Sequence, residues 1–194
     1  MRSLTTGQIA LLSALIAAAV GIQLAPRPIP NVETTSLFAF LVGILFGSII
    51  GGSFGGLVML VNGFLSPWGF GGLNIPFQMA GMAIVGITGG IYKRYFGEVS
   101  PARVSVEVTI LGASLTLLYD LITNVGVAVP FMPKSSWHIA LAASFSLGAP
   151  FSLVHVASNS FLFGSGFIPL VKALKRVPGG EVLWSKRELL SSQC

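Results

Sequence analysis

The stretch LYDLITN, Leu118 to Asn124, places an aspartate and an asparagine four residues apart in an otherwise apolar run. Residues at this spacing lie on one face of a helix, so Asp120 and Asn124 would project in the same direction. A charged side chain at the centre of a membrane helix costs about 2.5 to 3.5 kcal/mol on insertion. We therefore expect Asp120 to face a wet polar site or to brace a neighbouring helix, and not to face lipid.

The rest of the sequence has the composition of a membrane protein. Of its 194 residues, 53% are hydrophobic and 9% are charged, whereas roughly a quarter of a soluble domain is charged. The apolar run after Arg2 is longer than the core of a signal peptide and lacks a clear cleavage site, so we interpret it as a retained helix. Cys194 is the only cysteine, which excludes an internal disulfide and a cysteine-based metal cluster.

Six apolar runs predict the fold. They lie near residues 7–25, 35–50, 53–66, 75–92, 104–128 and 138–166. The second and third are short, since about 13 residues rise only about 20 Å and a straight crossing needs about 30 Å. The prediction is an all-α integral membrane protein, a compact bundle of six transmembrane helices over residues 1–177, followed by a short cytoplasmic tail over residues 178–194.

Basic residues predict the orientation of the bundle. If the N-terminus is cytoplasmic, that side holds nine of the 11 lysines and arginines, which the positive-inside rule favours. An even number of spans then places both termini in the cytoplasm. The outer side holds only Arg27 and Lys134, and the cytoplasmic side holds Arg2, Lys93, Arg94, Arg103, Lys172, Lys175, Arg176, Lys186 and Arg187.

Polar residues gather in the outer half of the predicted bundle. We expect a substrate pocket there, because binding sites combine apolar walls with a few placed donors and acceptors. Alternatives remain for several members: Trp68 and Trp137 fit an aromatic interface belt equally well, Arg27 could anchor its proline-rich loop by pairing with Glu33, and His155 with Asn159 could form a separate satisfied polar cluster. The candidate substrate-binding residues are Asp120, Asn124, Asn62, Trp68, Asn74, Gln78, Arg27 and Trp137.

Small residues recur every four positions in two of the predicted helices. Ala10, Ala14 and Ala18 form a smooth stripe that would suit packing inside the bundle or against another protein. The segment FLVGILFGSIIGGSFGG predicts close internal helix contacts at its glycines and a tight cytoplasmic turn at Gly51 and Gly52.

The residue types give little support for an enzyme. No recognisable nucleophile motif surrounds Ser53 or Ser165, the only histidines are His138 and His155, and neither H-E-x-x-H nor a phosphate-binding loop occurs. We therefore expect no enzyme, no metal and no cofactor.

The sequence resembles the substrate-binding S-component of energy-coupling factor transporters from about Thr6 to Arg176. The resemblance is carried by ALLSALIAAA, IPNVETTSLFAFLVGILFG, SPWGFGGLNIPFQMAGMAIVG and LYDLITN. It implies a protein of the prokaryotic plasma membrane that captures a vitamin or related micronutrient from outside. It also implies docking, through the alanine stripe, on a membrane coupling subunit that carries two cytoplasmic ATPases.

Two other functions are compatible with the same residues: a secondary transporter coupled to protons through Asp120, and a membrane scaffold that binds only other helices. Two tryptophans and several neutral amides in the outer region mildly favour a flat or large organic ligand over a small ion. If Asp120 lines the pocket, Asp120→Ala is expected to weaken ligand binding in a protein that remains folded.

Overall fold

The computed structural model describes residues 4–25, 31–66, 69–93, 100–134, 136–178 and 180, and this part of the chain contains six α-helices and two 3-10 helices, Gly72–Asn74 and Val129–Lys134. Five of the six helices are long and apolar enough to cross a membrane, the exception being α2. The predicted all-α bundle is confirmed, and it is that of a multi-pass membrane protein. The helices are α1 (Thr6–Leu24), α2 (Thr35–Phe46), α3 (Ser48–Leu65), α4 (Ile75–Tyr92), α5 (Pro101–Ala128) and α6 (Trp137–Leu174).

Local sequence explains where two of these helices begin. Thr5 accepts a hydrogen bond from the backbone N–H of Gln8, whose side chain accepts one from the backbone of Thr5, and this reciprocal capping box fixes the start of α1. Ser100 caps α5 by accepting a hydrogen bond from the backbone N–H of Arg103, with Pro101 in the first turn.

The helix α2 is short and is enclosed by other helices. Its 12 residues span about 18 Å, less than the hydrocarbon core of a bilayer. Every side chain from Thr35 to Leu45 except Phe38 is buried, and α2 packs against α3, α4 and α6. A helix enclosed in this way does not have to match the thickness of the membrane, and the prediction of a short second helix is confirmed.

The connection between α2 and α3 lies earlier than the sequence predicted. The chain turns at Gly47 alone, where φ is 93°, a left-handed conformation that favours glycine. Gly51 and Gly52 are instead buried within α3, so the predicted turn at these two residues is wrong. Because α3 begins at Ser48 and has 18 residues, the prediction that the third helix is short is also wrong.

Glycines bring α2, α3 and α4 into backbone contact. A Cβ atom on Gly43 of α2 would collide with the carbonyl oxygen of Gly86 in α4, and one on Gly86 would collide with the carbonyl oxygen of Gly51 in α3. The prediction that the glycines make close internal contacts is confirmed.

The last helix is longer than its predicted span. With 38 residues α6 is about 57 Å long, and it includes Pro150 and Pro169. It packs along α5, while apolar side chains such as Leu147, Leu153 and Phe161 remain exposed on it. Residues 181–194, which hold most of the predicted cytoplasmic tail, lie outside the described residues.

Candidate functional site

A cavity of about 990 Å³ lies at one end of the bundle. It forms where α1, α3 and α5 end and where α2, α4 and α6 begin, which is the end predicted to face outward. Its wall combines amides, hydroxyls and three ionisable groups with apolar side chains. The lining residues are Gln23, Asn31, Glu33, Asn62, Ser66, Asn74, Gln78, Tyr119, Asp120, Thr123, Asn124, Val127, Phe131, Ile139, Ala140, Ala143, Ser144, Leu147, Gly148, Phe151, Ser152 and His155.

The cavity brings together most of the polar residues singled out from the sequence. Its lining includes five candidates that lie on three different helices or just before them: Asp120, Asn124, Asn62, Asn74 and Gln78.

Of the other three candidates, Trp137 alone is described, and it does not line the cavity. Trp137 is absent from the lining, and its side chain is 65% exposed, with its ring edge-on to His138 at 5.9 Å between centroids. This position fits the interface belt that the sequence left open for it. Arg27 and Trp68 lie outside the described residues.

Three ionisable side chains meet in a buried cluster at the cavity wall. Nδ1 of His155 lies 2.7 Å from Oδ1 of Asp120, and Nε2 of the same ring lies 3.2 Å from Oε1 of Glu33. Their residues are only 3%, 5% and 6% exposed, respectively. The cluster, which we call the acidic–histidine triad, links the residues before α2 to α5 and α6.

Further hydrogen bonds hold Glu33 in place. Gln23 donates through Nε2 to Oε2 of Glu33 at 2.9 Å, and Ser36 donates through its hydroxyl to Oε1 at 3.3 Å. The hydroxyl of Thr35 donates to Oε1 of Gln23 at 2.9 Å, which orients that amide. The end of α1 and the start of α2 thus position one carboxylate of the triad.

The donors and acceptors of the triad indicate which of its atoms carry hydrogens. An ionised carboxylate can only accept, and both ring nitrogens of His155 face carboxylate oxygens. Both contacts are therefore satisfied together when the imidazole carries a hydrogen on each nitrogen. In that state Glu33, His155 and Asp120 carry two negative charges and one positive charge.

Neighbouring side chains pack against the triad and join two helices beside the cavity. The ring of Tyr119 meets His155 edge-on, with centroids 5.7 Å apart, and its hydroxyl donates to Sδ of Met59 at 3.4 Å. Ser144 of α6 donates to the backbone carbonyl of Asn124 at 2.6 Å, which ties α5 to α6 beside the cavity.

A smaller cavity of about 390 Å³ lies between α5 and α6 and shares Asp120, Asn124 and Ser152 with the main one. Its other lining residues are apolar: Leu117, Leu121, Phe145, Ala149, Leu153 and Val156. The region around Asp120 therefore offers a charged group next to an apolar cleft. Such a site can hold an organic molecule that has a polar end and an apolar body.

The sequence did not predict the triad. His155 was interpreted as part of a separate cluster with Asn159, but it contacts Asp120 and Glu33, while neither amide atom of Asn159 has a hydrogen-bond partner among the described residues. Glu33 was considered as a partner for Arg27 and not for a histidine. The available signal was the presence of an aspartate and a histidine inside two consecutive membrane helices, since ionisable groups in membranes pair with one another.

Among the described residues, no group of three or more His, Cys, Asp or Glu side chains is arranged to hold a metal ion. Comparisons with protein-family models, with curated proteins and with solved structures found no match to this chain. Functional proposals therefore rest on the cavity, the triad and the exposed faces of the bundle.

Proposed function

We propose that this protein captures a vitamin or related micronutrient in the outer cavity, as the substrate-binding subunit of an ATP-driven importer of the energy-coupling factor type. The observation that carries the proposal is the cavity itself, whose described wall combines polar and apolar side chains from α1, α3, α4, α5 and α6 and from the connections between helices. At about 990 Å³ it is at the upper end of the range for small-molecule sites. That volume suits a ring-bearing organic solute better than an inorganic ion.

The exposed face of α1 supports a partner for this subunit. Leu11, Leu15 and Ala19 pack into the core, whereas Ala10 and Ala14 are exposed and Ala18 is partly exposed. The first two alanines of the stripe therefore do not serve packing inside the bundle. In the proposed importer this face docks on a membrane coupling subunit that carries two cytoplasmic ATPases, all in the plasma membrane of a prokaryote.

Native mass spectrometry of gently purified protein tests the capture function. We expect a retained organic molecule of vitamin-like mass, identified by fragmentation. Ala143→Trp should abolish retention because Ala143 lines the cavity. Ala142→Trp is the matched control, because Ala142 is also exposed on α6 but does not line the cavity. Equal retention by both variants would show that the ligand binds elsewhere.

A second function, proton-coupled transport, is favoured by the acidic–histidine triad. Both of its carboxylates contact the same histidine beside the cavity, and proton relays in membrane proteins are built from chains of Asp, Glu and His. Such a carrier would move its solute when reconstituted alone, with a dependence on the pH gradient that Asp120→Asn abolishes. A subunit of the importer would bind the solute alone and would need the ATPase partners for turnover.

A further inference from the structure

We propose that the cavity selects ligands that carry a positively charged, hydrogen-donating nitrogen, and that this nitrogen binds to Asp120. The inference rests on the proposed capture function and specifies the chemical class of the captured molecule. It identifies the substrate by an ammonium, amidinium or protonated ring nitrogen attached to a largely apolar body.

An unpaired carboxylate oxygen is the first observation. Asp120 lines the cavity and is 5% exposed; its Oδ1 is bound to His155, but its Oδ2 has no hydrogen-bond partner among the described residues. A buried polar atom without a partner costs about 1 to 3 kcal/mol, and more when it is charged. A ligand nitrogen that donates to this oxygen would remove that cost.

The sharing of His155 between two carboxylates is the second observation. With a hydrogen on each nitrogen, the imidazole carries one positive charge and contacts both Glu33 and Asp120, so it compensates Asp120 only in part. The described lining residues include no lysine or arginine, and their remaining titratable group is the phenol of Tyr119. An uncompensated buried charge is unfavourable, whereas a paired one is tolerated. A cationic ligand at Asp120 would add an opposite charge next to this carboxylate, and an anionic ligand would place a like charge beside it.

A second acceptor lies on the neighbouring wall. Gln78 also lines the cavity, and its side-chain oxygen is buried and has no hydrogen-bond partner among the described residues. Together with Asp120 it offers two acceptors without protein donors. A ligand with a second donor would suit these two acceptors better than a ligand composed of acceptors.

The apolar cleft between α5 and α6 indicates what the nitrogen is attached to. Asp120 belongs to the lining of both the main cavity and this cleft, whose remaining members are mostly aliphatic or aromatic. A ligand with its nitrogen on Asp120 can therefore place an apolar ring or chain against Leu121 and Phe145. A small hydrophilic cation such as ammonium would leave this surface unused.

Matched compounds that carry a cationic, a neutral or an anionic group on the same ring test the proposal. Tryptamine, tryptophol and indole-3-acetate present an ammonium, a hydroxyl and a carboxylate on the same ring, and the corresponding naphthalene compounds form a second trio. Dissociation constants are measured by calorimetry on the purified full-length protein. We expect the ammonium member of a trio to bind at least about tenfold more tightly than the carboxylate member.

Two variants and a control locate the charge preference. Asp120→Asn keeps the shape and an acceptor for His155 but removes the charge, and it should weaken ammonium binding by at least about tenfold. Gln78→Met leaves the triad intact and should weaken the same ligand by about threefold or more. Glu107→Gln is the same carboxylate-to-amide change on α5, about 20 Å from Asp120 along the helix, and should leave binding unchanged.

The ligand retained from the host provides an independent readout. A retained molecule with a basic nitrogen that is lost in Asp120→Asn supports the inference, even if no indole or naphthalene compound binds. A retained molecule without such a nitrogen, or tighter binding of the carboxylate members, overturns the inference but leaves the capture function in place. A protein that retains nothing and binds no member of either trio overturns both.

Discussion

His155 holds the acidic–histidine triad together, because each of its ring nitrogens contacts a different carboxylate. Removing one partner of a buried charged pair leaves the other unpaired, at a typical cost of about 3 to 5 kcal/mol. For Asp120→Ala, the structure therefore leads us to expect a loss of stability together with any loss of binding. Asp120→Asn is the more informative change, because its amide oxygen can still accept a hydrogen bond from His155.

Glu33→Gln measures the contribution of the triad to stability. Glu33 accepts hydrogen bonds from Gln23 and Ser36 and contacts His155, and an amide can replace only part of this set. We expect the free energy of unfolding in detergent to fall by about 1 to 3 kcal/mol. Glu107→Gln is the matched control, because the pair with the exposed Arg103 should contribute little and a glutamine oxygen can still accept from the hydroxyl of Tyr92. Equal stabilities of the two variants would contradict a structural role for the triad.

At the level of single residues, the sequence predicted which residues line the cavity better than it predicted which residues contact one another. The spacing of Asp120 and Asn124 and the cost of burying a charge in a membrane place both residues at an inward site, and both line the cavity. The contact between Glu33 and His155 joins residues 122 positions apart. It depends on how α2 packs against α3, α4 and α6, and no local spacing encodes that arrangement.

At the level of helices, the glycines of α2, α3 and α4 determine how closely the backbones approach. Positions 43, 51 and 86 have no room for a side chain, because the atoms that a Cβ would meet belong to backbones that cannot move aside. This packing holds α2 inside the bundle and thereby places Glu33, just before that helix, next to His155. The glycine cluster thus supports the geometry of the cavity, which lies at the opposite end of α2.

Gly86→Ala tests this packing. The added methyl group would collide with the backbone of Gly51, so we expect a loss of about 1 to 3 kcal/mol of stability, measured by thermal or denaturant unfolding in detergent. Gly21→Ala in α1 is the control, since a Cβ there meets nothing within 4 Å and alanine favours a helix. A Gly86→Ala protein as stable as the Gly21→Ala protein would show that the helices can separate at little cost.

The sequence predicted helices more reliably than the connections between them. Apolar runs predicted all six helices, and four of the runs are long enough to cross a membrane, whose thickness sets a minimum length. The turn between α2 and α3 was placed at Gly51 and Gly52 because paired glycines commonly mark turns. Gly47 makes the turn instead, and Gly51 and Gly52 are needed for helix packing. Glycine serves both purposes, and only tertiary contacts distinguish them.

At the scale of the molecule, the orientation predicted from basic residues places the cavity outside. Two variants test it in a background with Cys194→Ser: Ser136→Cys is at the cavity end of α6, and Ala173→Cys is in its last turn, and both positions are exposed. A membrane-impermeant maleimide should label the first in intact cells and the second only after permeabilisation. The reverse labelling pattern would show that the bundle has the opposite orientation and that the cavity faces the cytoplasm.

Capture and transport should be separable in the whole molecule, because the cavity and the alanine face of α1 lie on different parts of the bundle. Ala14→Leu adds a bulky side chain to an exposed position on α1, so we expect ligand affinity to stay within about twofold and uptake with the ATPase partners to fall about tenfold. Ala157→Leu, the same change at an exposed position of α6, should preserve both activities. Equal uptake by the two variants, measured with radiolabelled ligand in cells, would exclude this face of α1 as the docking surface. Loss of affinity in Ala14→Leu would instead indicate that α1 supports the cavity directly.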